Sequence, residues 1–291
     1  MLRLVIPKGS LEANTLALLE QADLALKRGS DRDYHGSIVD PRIDRVSILR
    51  PQEIPGYIEE GLFDVGITSR DWIEETQSDV EILCELGDAG RVGGRVRIVL
   101  AVPKDSPIER ADQLPANSRI STEYLNITTR AFEKLGIPVH VFLSYGATEA
   151  KVPDIADAVV EATETGSSLR RSGLKIVETF VDSPTLLIAN RASAADTAKR
   201  QAMTDVQILL LGVLAARGRV LVKLNVEEAS LAGVLDILPA MKAPTISKLT
   251  SGDDYAVETV VEKSHINVLI PLLKERGATD IIELPIAKIV P

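Results

Sequence analysis

The stretch from Glu149 to Leu169 gathers residue types that could hold a charged ligand: Glu-Ala-Lys-Val-Pro-Asp-Ile-Ala-Asp-Ala-Val-Val-Glu-Ala-Thr-Glu-Thr-Gly-Ser-Ser-Leu. Residues 156–160 form a short apolar run that reads as a strand, with Asp157 inside it and Glu161 where it stops. Thr165, Gly166, Ser167 and Ser168 follow, ahead of a helix opening at Leu169. Such a turn aims backbone N–H groups and three hydroxyls at one spot, and the helix dipole adds positive potential there, which suits a phosphate. The upstream carboxylates would repel a bare phosphate. They suit instead the hydroxyls of a sugar, as hydrogen-bond acceptors, or Mg2+. The combination points to a phosphorylated sugar. An ordinary turn and N-cap draws on the same residues, so the stretch alone leaves both readings open.

The elements around it place further candidates. Leu2 to Ile6 reads as a buried strand and Leu11 to Leu26 as a helix, so the loop between them sets Lys8, Gly9 and Ser10 at the carboxyl end of a strand, where open α/β sheets bind ligands. Arg50 closes a second strand, offering either a fork for phosphate or carboxylate or a surface ion pair. Asp64 to Thr68, Val96 to Val102, Val139 to Leu143, Leu174 to Phe180 and Thr185 to Ala189 continue an alternation of strands and helices as far as about residue 190. That alternation predicts parallel sheets with helices on both faces. Gly90, Arg91, Gly93, Gly94 and Arg95, just before the apolar strand at Val96, mark a crossing into a second lobe. A helical pattern from Ala192 to Ala216 leads into a different rhythm, β-α-β-β-α-β, over Val220 to Ile289.

Composition narrows the function classes. With 291 residues the chain can bury two or three cores. Its net charge of -9 argues against a nucleic-acid binder, since phosphate-backbone affinity rests on clustered Lys and Arg. Cys84 is the single cysteine, which removes intramolecular disulfides and disfavours a thiolate metal site. The opening Met-Leu-Arg-Leu-Val-Ile-Pro reads as a strand rather than a signal core, and no apolar run is long enough for a membrane helix, so a cytoplasmic protein is expected. His35, His140 and His265 are isolated in sequence and read as structural or surface residues.

Taken in order, these segments resemble the ATP phosphoribosyltransferase family in its long form. Pro7-Lys8-Gly9-Ser10-Leu11, Asp64-Val65-Gly66-Ile67-Thr68 with Asp71, and Thr122-Glu123-Tyr124 with Asn126 are each similar to a family segment. The most specific match is Ala156 to Glu161 followed by Thr165 to Leu169, which resembles the loop for 5-phosphoribosyl pyrophosphate (PRPP). Glu161 stands where many members carry Asp and Ser168 where many carry Thr; each replacement keeps the carboxylate or hydroxyl.

The resemblance implies an α/β fold: a two-lobed, periplasmic-binding-protein-like catalytic region followed by an ACT-like βαββαβ regulatory domain. Residues 1–92 and 183–217 would form lobe I, 93–182 lobe II, and 218–291 the regulatory domain. It implies transfer of the phosphoribosyl group of PRPP to N1 of ATP, the first step of histidine biosynthesis, with L-histidine as feedback inhibitor. Asp157, Glu161, Thr165, Gly166, Ser167, Ser168 and Leu169 would bind PRPP. Lys8 and Arg50, with Asp157 and Glu161, would serve catalysis, and Gly9, Thr122, Tyr124 and Glu149 would line the ATP side. Asn225, Met241, Ala243, Thr245 and Asp280 would contact histidine. Mg2+ would sit mainly on substrate phosphates, with Asp157 or Glu161 as the available protein ligand. A homohexamer, with a dimer as the smaller state, is implied, with no nucleic-acid or membrane partner. The alternative is a non-catalytic two-lobed ligand-binding or regulatory subunit of the same fold.

Overall fold

A computed structural model describes residues 1–87, 95–239, 243–250 and 252–291. The most apolar opening segment, β1 (Leu2–Pro7), lies inside a seven-stranded sheet, hydrogen-bonded in parallel to strands on both sides. Residues 1–85 supply α1 (Glu12–Gln21), β2 (Leu26–Lys27), β3 (His35–Ile38), β4 (Ile43–Leu49), α2 (Ile54–Glu59), β5 (Val65–Ser69), α3 (Arg70–Thr76) and β6 (Glu81–Glu85). Gly66 on β5 shows why this layer packs closely: a Cβ there would lie 2.8 Å from Val5 Cγ1 and 3.1 Å from Ile54 Cγ2, so only glycine lets α2 approach the sheet.

The chain then builds a five-stranded sheet from β7 (Val96–Pro103), β8 (Ser118–Thr122), α4 (Leu125–Leu135), β9 (Val139–Leu143), β10 (Ala158–Thr163), α5 (Ser167–Arg171) and β11 (Leu174–Ser183). It returns to the first sheet as β12 (Thr185–Ala189), between β5 and β6, and continues into α6 (Arg191–Ala195) and α7 (Thr197–Ala216). Two α/β lobes are thus joined by two crossings. The first crossing includes Gly90, Arg91, Gly93 and Gly94, which lie outside the described residues.

The sheets are mixed, not parallel throughout as the alternation predicted. β1, β4 and β5 run parallel, as do β8, β9 and β10, but β12 is antiparallel to β5 and β6, and β7 is antiparallel to β10 and β11. The physical reason is direction. β5, β10 and β11 end at the space between the lobes, whereas β7 and β12 start there, so chain entering a lobe must run against the strands that leave it.

The carboxylate of Asp64, next to β5, ties this framework together. It is buried and accepts the Arg3 backbone N–H at 2.8 Å, the Arg3 guanidinium at 3.0 Å, the Ser193 hydroxyl at 2.7 Å and the Lys199 ammonium at 2.8 Å. Burial alone would raise this carboxyl; the two cations, the amide and the hydroxyl overcome that and hold it well below the usual carboxylate range. A group depressed in the folded state contributes stability above its unfolded value, about 3.9 for Asp, and loses that contribution as pH falls towards its folded value. Asp64→Asn leaves Arg3 and Lys199 without their anion. Because each cation keeps about a third of its side-chain surface in water, the expected loss is about 2 to 3 kcal/mol, at the low side of that for a broken buried pair. Urea unfolding at neutral and acid pH checks this: the deficit should be full at pH 7 and shrink below pH 4.

Contacts divide the chain into residues 1–210 and 211–291. The division falls inside α7 because its last turns belong with the second unit, where the Ile289 N–H donates to Gly212 O at 2.9 Å. This unit contains β13 (Arg219–Glu227), α8 (Glu228–Leu235), β14 (Thr245–Lys248), β15 (Asp254–Glu262), α9 (Ile266–Glu275) and β16 (Thr279–Pro285), the expected β-α-β-β-α-β order. Its antiparallel sheet has the order β14-β15-β13-β16. Val222, Leu224 and Val226 alternate into a core with Val257, Val261, Ile266, Leu269 and Leu273, while Leu221, Lys223 and Asn225 point to the other face. Among the described residues, no helix is long and apolar enough to cross a membrane.

Candidate functional site

Two neighbouring hollows mark the site. The first, about 210 Å³, lies between the lobes: Ser10, Pro51, Ser69, Asp71 and Trp72 line it from lobe I, and Tyr124, Ala162, Thr163 and Glu164 from lobe II. The second, about 230 Å³, lies within lobe II and is lined by Glu123, Thr148, Glu149, Glu161, Thr163 and Ser168, among others. Ala162 and Thr163, at the end of β10, border both, so that strand end connects them.

The turn after β10 is built as a cup. The Thr163 hydroxyl accepts the Gly166 N–H at 2.8 Å, and the Thr165 hydroxyl accepts the Ser167 N–H at 3.3 Å. Gly166 sits at φ +71°, a left-handed backbone that favours glycine. The Arg170 guanidinium reaches back to Thr165 O at 2.9 Å, and buried Leu169 pins the turn into a cluster with Val99, Ala101, Val159 and Leu174. Helix geometry leaves the first-turn amides of Ser168 and Leu169 without intrahelical acceptors. The Ser167 and Ser168 side chains are exposed beside them. The Ser168 hydroxyl donates to Glu149 Oε1 at 2.9 Å.

Glu161 is the notable carboxylate of the second hollow. Burial pushes it above the ordinary carboxylate range; the Thr148 hydroxyl and the Ala162 N–H oppose the shift, and Glu123 and Glu149 add to it. Three carboxylates and several hydroxyls around one hollow form an acceptor-rich wall, which suits a polyhydroxyl ligand.

Glu161 and Ser168 border the same hollow, and Thr165, Gly166 and Ser167 form the turn that leads into Ser168. The Leu169 side chain is the buried anchor of the loop, and the residue also borders the second hollow. Glu149 lies in the hollow of Glu161 and Ser168. Arg50 is exposed at the end of β4, beside Gly9: a Cβ on Gly9 would lie 3.9 Å from Arg50 Nη1. Lys8 is engaged locally. Its ammonium donates to Glu12 Oε1 and Asp31 O, both at 3.2 Å, and lies 5.8 Å from the Tyr34 ring centre.

Two expectations are corrected. Asp157 precedes β10, at the end of the strand opposite the cup, about 20 Å of extended chain from Thr163. There it accepts the Arg119 N–H at 2.8 Å and pairs with the Arg119 guanidinium at 2.8 Å, and this cation holds it below its ordinary range. Thr122 is fully buried, and its hydroxyl accepts the Tyr124 N–H at 2.9 Å, which removes it from ligand contact. Tyr124 does border the interlobe hollow, but it is 3 % exposed and stacked on Trp72, ring centres 4.8 Å apart. Burial pushes its phenol well up, and the negative charge of the nearby Asp71 carboxylate adds to the shift.

In the second unit, the Asn225 amide donates to Asp280 Oδ2 at 3.0 Å, so these two predicted residues meet. Thr245 is exposed at the start of β14, in the pairing row of Lys223 and Glu258 rather than that of Asn225. Ala243 is exposed ahead of β14, and Met241 lies outside the described residues. Of the histidines, His35 contacts the Ser47 hydroxyl at 3.3 Å, His265 lies 3.8 Å from Glu262, and His140 is exposed on β9; none borders either hollow.

Sequence reasoning passed over Thr148, Thr163 and Trp72. Thr163 had a local signal, lying three residues before the glycine whose amide it caps. Trp72 had none, because its partner Tyr124 lies far along the chain, and Thr148, bonded to nearby Ser144, reaches the hollow of Glu161 only through the fold.

Comparison with known proteins fits this geometry. The family model described as ATP phosphoribosyltransferase matches residues 50–210, and that of the HisG C-terminal domain matches residues 216–288. The ATP phosphoribosyltransferase of Koribacter versatilis is 44% identical over 289 residues, covering 99% of both chains. That of Desulforudis audaxviator is 43% identical over 290 residues, covering 100% of this chain and 99% of its own. Among solved structures, the ATP phosphoribosyl transferase (HisG:HisZ) complex from Thermotoga maritima superposes with a TM-score of 0.61 at 25% identity, covering 72% of this chain and 99% of that one. On both domain matches and on identity maintained from end to end, the chain belongs to the long-form ATP phosphoribosyltransferase family, transferases of histidine biosynthesis.

Proposed function

We propose that the cup at residues 165–168 and the hollow of Glu161 hold PRPP, and that the chain transfers its phosphoribosyl group to N1 of ATP with release of pyrophosphate. The observation that carries this reading is the juxtaposition of a glycine-based amide and hydroxyl cup with a half-buried carboxylate, at the mouth of an interlobe space. The Ser168 and Leu169 amides and the Thr165, Ser167 and Ser168 hydroxyls would take the 5′-phosphate. Glu161 and Glu149 would accept hydrogen bonds from the ribose hydroxyls, with Ser168 released from Glu149 as the phosphate arrives. Arg50, exposed at the lobe I rim, would face the pyrophosphate, and the space bordered by Asp71, Trp72 and Tyr124 would receive the nucleotide. Lys8 would join Arg50 only on leaving Glu12 and Asp31.

No protein nucleophile is required. The adenine N1 lone pair forms the new bond to C1 while the C1–O bond to pyrophosphate breaks, and its electron pair leaves with pyrophosphate. The chain acts by orientation, worth about 7 to 11 kcal/mol in favourable cases, and by electrostatic support of the developing charges. The donors of the second hollow are all oxygens, which suits Mg2+. Among the described residues no three metal-ligating side chains are grouped to hold an ion. Mg2+ is therefore assigned mainly to substrate phosphates, with Glu161 as the available protein ligand and Asp157 excluded by Arg119; bound there, it would neutralise the leaving pyrophosphate.

The second unit is proposed as the L-histidine sensor, in a homohexamer built from dimers and working in the cytoplasm. Asn225 and Asp280, already paired, supply a donor and acceptors for an amino acid. Turnover of ATP with PRPP and Mg2+ should be suppressed by L-histidine, and Asn225→Ala should raise the half-inhibiting concentration about tenfold, the equivalent of one lost polar contact. Histidine response unaltered in the variant would remove Asn225 from the sensor; turnover indifferent to histidine in the unaltered chain would remove the sensor itself. A non-catalytic subunit is the weaker reading, because the cup, Glu161 and Arg50 are all in place.

A further inference from the structure

The lobes meet through α3 of lobe I and α4 of lobe II, and one buried carboxylate holds that contact. Glu75, in the last turn of α3, is 9 % exposed. Its two oxygens accept the backbone N–H groups of Asn126 and Ile127, each at 2.9 Å, in the first turn of α4. These are amides that the helix leaves without intrahelical partners, and a carboxylate is the favoured charge at that end. The contact is reinforced by backbone: Glu75 O accepts the Asn126 amide at 2.8 Å, and Glu74 O accepts the Arg130 guanidinium at 2.6 Å.

The residue just before that first turn is Tyr124, the N-cap position of α4 and the lobe II wall of the interlobe hollow. On α3, one turn before Glu75, lie Asp71, which accepts the Ser183 hydroxyl and shares the hollow with Tyr124, and Trp72, which stacks on the Tyr124 ring. Asp71 and Trp72 face the hollow at one end of α3; Glu75 grips lobe II at the other. No hollow of the candidate site includes Glu75.

We propose that Glu75 is a positioning residue for phosphoribosyl transfer: by holding the first turn of α4 on α3, it fixes Tyr124 against Asp71 and Trp72, sets the distance between the lobes and acts as the pivot about which they close. This rests on the transferase reading above. It separates two jobs. The 5′-phosphate cup and the hollow of Glu161 lie in lobe II, with Arg50 alone facing PRPP from lobe I, whereas the approach of the nucleotide to the sugar depends throughout on how lobe I is held. Loss of the Glu75 grip should therefore lower turnover more than it weakens PRPP.

Trp72 is the one tryptophan in the chain and sits in the contact itself, so its fluorescence reads the lobe arrangement directly. The experiment measures Trp72 emission and steady-state kinetics for the unaltered chain, Glu75→Ala, and Glu75→Gln, which keeps the shape and one acceptor. Both variants should shift free-enzyme emission to the red as Trp72 becomes more hydrated. Glu75→Ala should lower kcat about 30-fold, as expected when reacting groups are displaced by up to about 1 Å, while the PRPP KM changes less than about threefold; Glu75→Gln should fall between. Unchanged emission in both variants, or a loss of kcat matched by an equal loss of folded protein, would overturn the proposal. Inactivity of the unaltered chain with ATP and PRPP would instead fault the transferase reading, and the emission shift is measured independently of it.

Discussion

Gly166→Val should lower kcat/KM for PRPP by about 10² to 10³-fold, chiefly through a raised KM, while the chain stays folded. The backbone at φ +71° accounts for much of it, since a β-branched residue in the left-handed region is strained by about 1 to 2 kcal/mol. The new Cβ would also lie 2.9 Å from Ile176 Cδ1 and 3.1 Å from Arg170 Nη1. Both are side-chain tips that can move, but Arg170 moves only by loosening its bond to Thr165 O, so relief of the clash deforms the cup. Misaligned donors around a phosphate are expected to cost as much as the loss of one preorganised donor, about 10² to 10³-fold. Initial rates at varied PRPP check this, and a PRPP KM equal to that of the unaltered chain would mean that the cup does not hold PRPP.

Glu161→Gln is expected to separate activity from stability in opposite directions. Burial raises the Glu161 carboxyl above its ordinary value of about 4.5, so the activity of the unaltered chain should rise with pH along an acid limb set by this group. The amide cannot become the charged acceptor. Its plateau kcat/KM should fall about 10²-fold, the equivalent of losing charge-assisted bonds to hydroxyls, and the acid limb assigned to Glu161 should vanish. Stability moves the other way. A carboxyl raised in the folded state favours folding below its ordinary value, and that advantage is lost as pH rises through the folded value. Near neutral pH the ionised group thus opposes folding, and Glu161→Gln should melt above the unaltered chain at pH 7.5. A lower melting temperature with an unaltered pH profile would make Glu161 a structural residue only.

What the sequence disclosed follows from how local each signal is. The cup was legible because Thr165 to Ser168 are contiguous and Gly166 answers a backbone need of its own turn. The β-α-β-β-α-β unit was legible because Val220, Val222, Leu224 and Val226 alternate cleanly. Asp157 was misplaced for a definite reason. The apolar run suggested a strand over residues 156–160, but pairing with β7 and β8 carries it over Ala158–Thr163. With that shift, Asp157 falls before the strand and its cationic neighbour Arg119 becomes its partner, while Glu161 stays within reach of the cup. Tyr124 and Glu75 could not be read from neighbours in sequence, since each owes its role to the other lobe. The antiparallel strands were hidden similarly: periodicity distinguishes strand from helix but does not tell which way a strand runs.

The most direct test of the account is to incubate the purified chain with ATP, PRPP and Mg2+ and to measure pyrophosphate and N1-(5-phosphoribosyl)-ATP together, by phosphorus NMR and mass spectrometry. The account predicts equal amounts of the two products, with both lost together in Gly166→Val and Glu161→Gln at substrate concentrations that saturate neither variant. Pyrophosphate without the adenine adduct, or no product from a chain that binds PRPP, would contradict it.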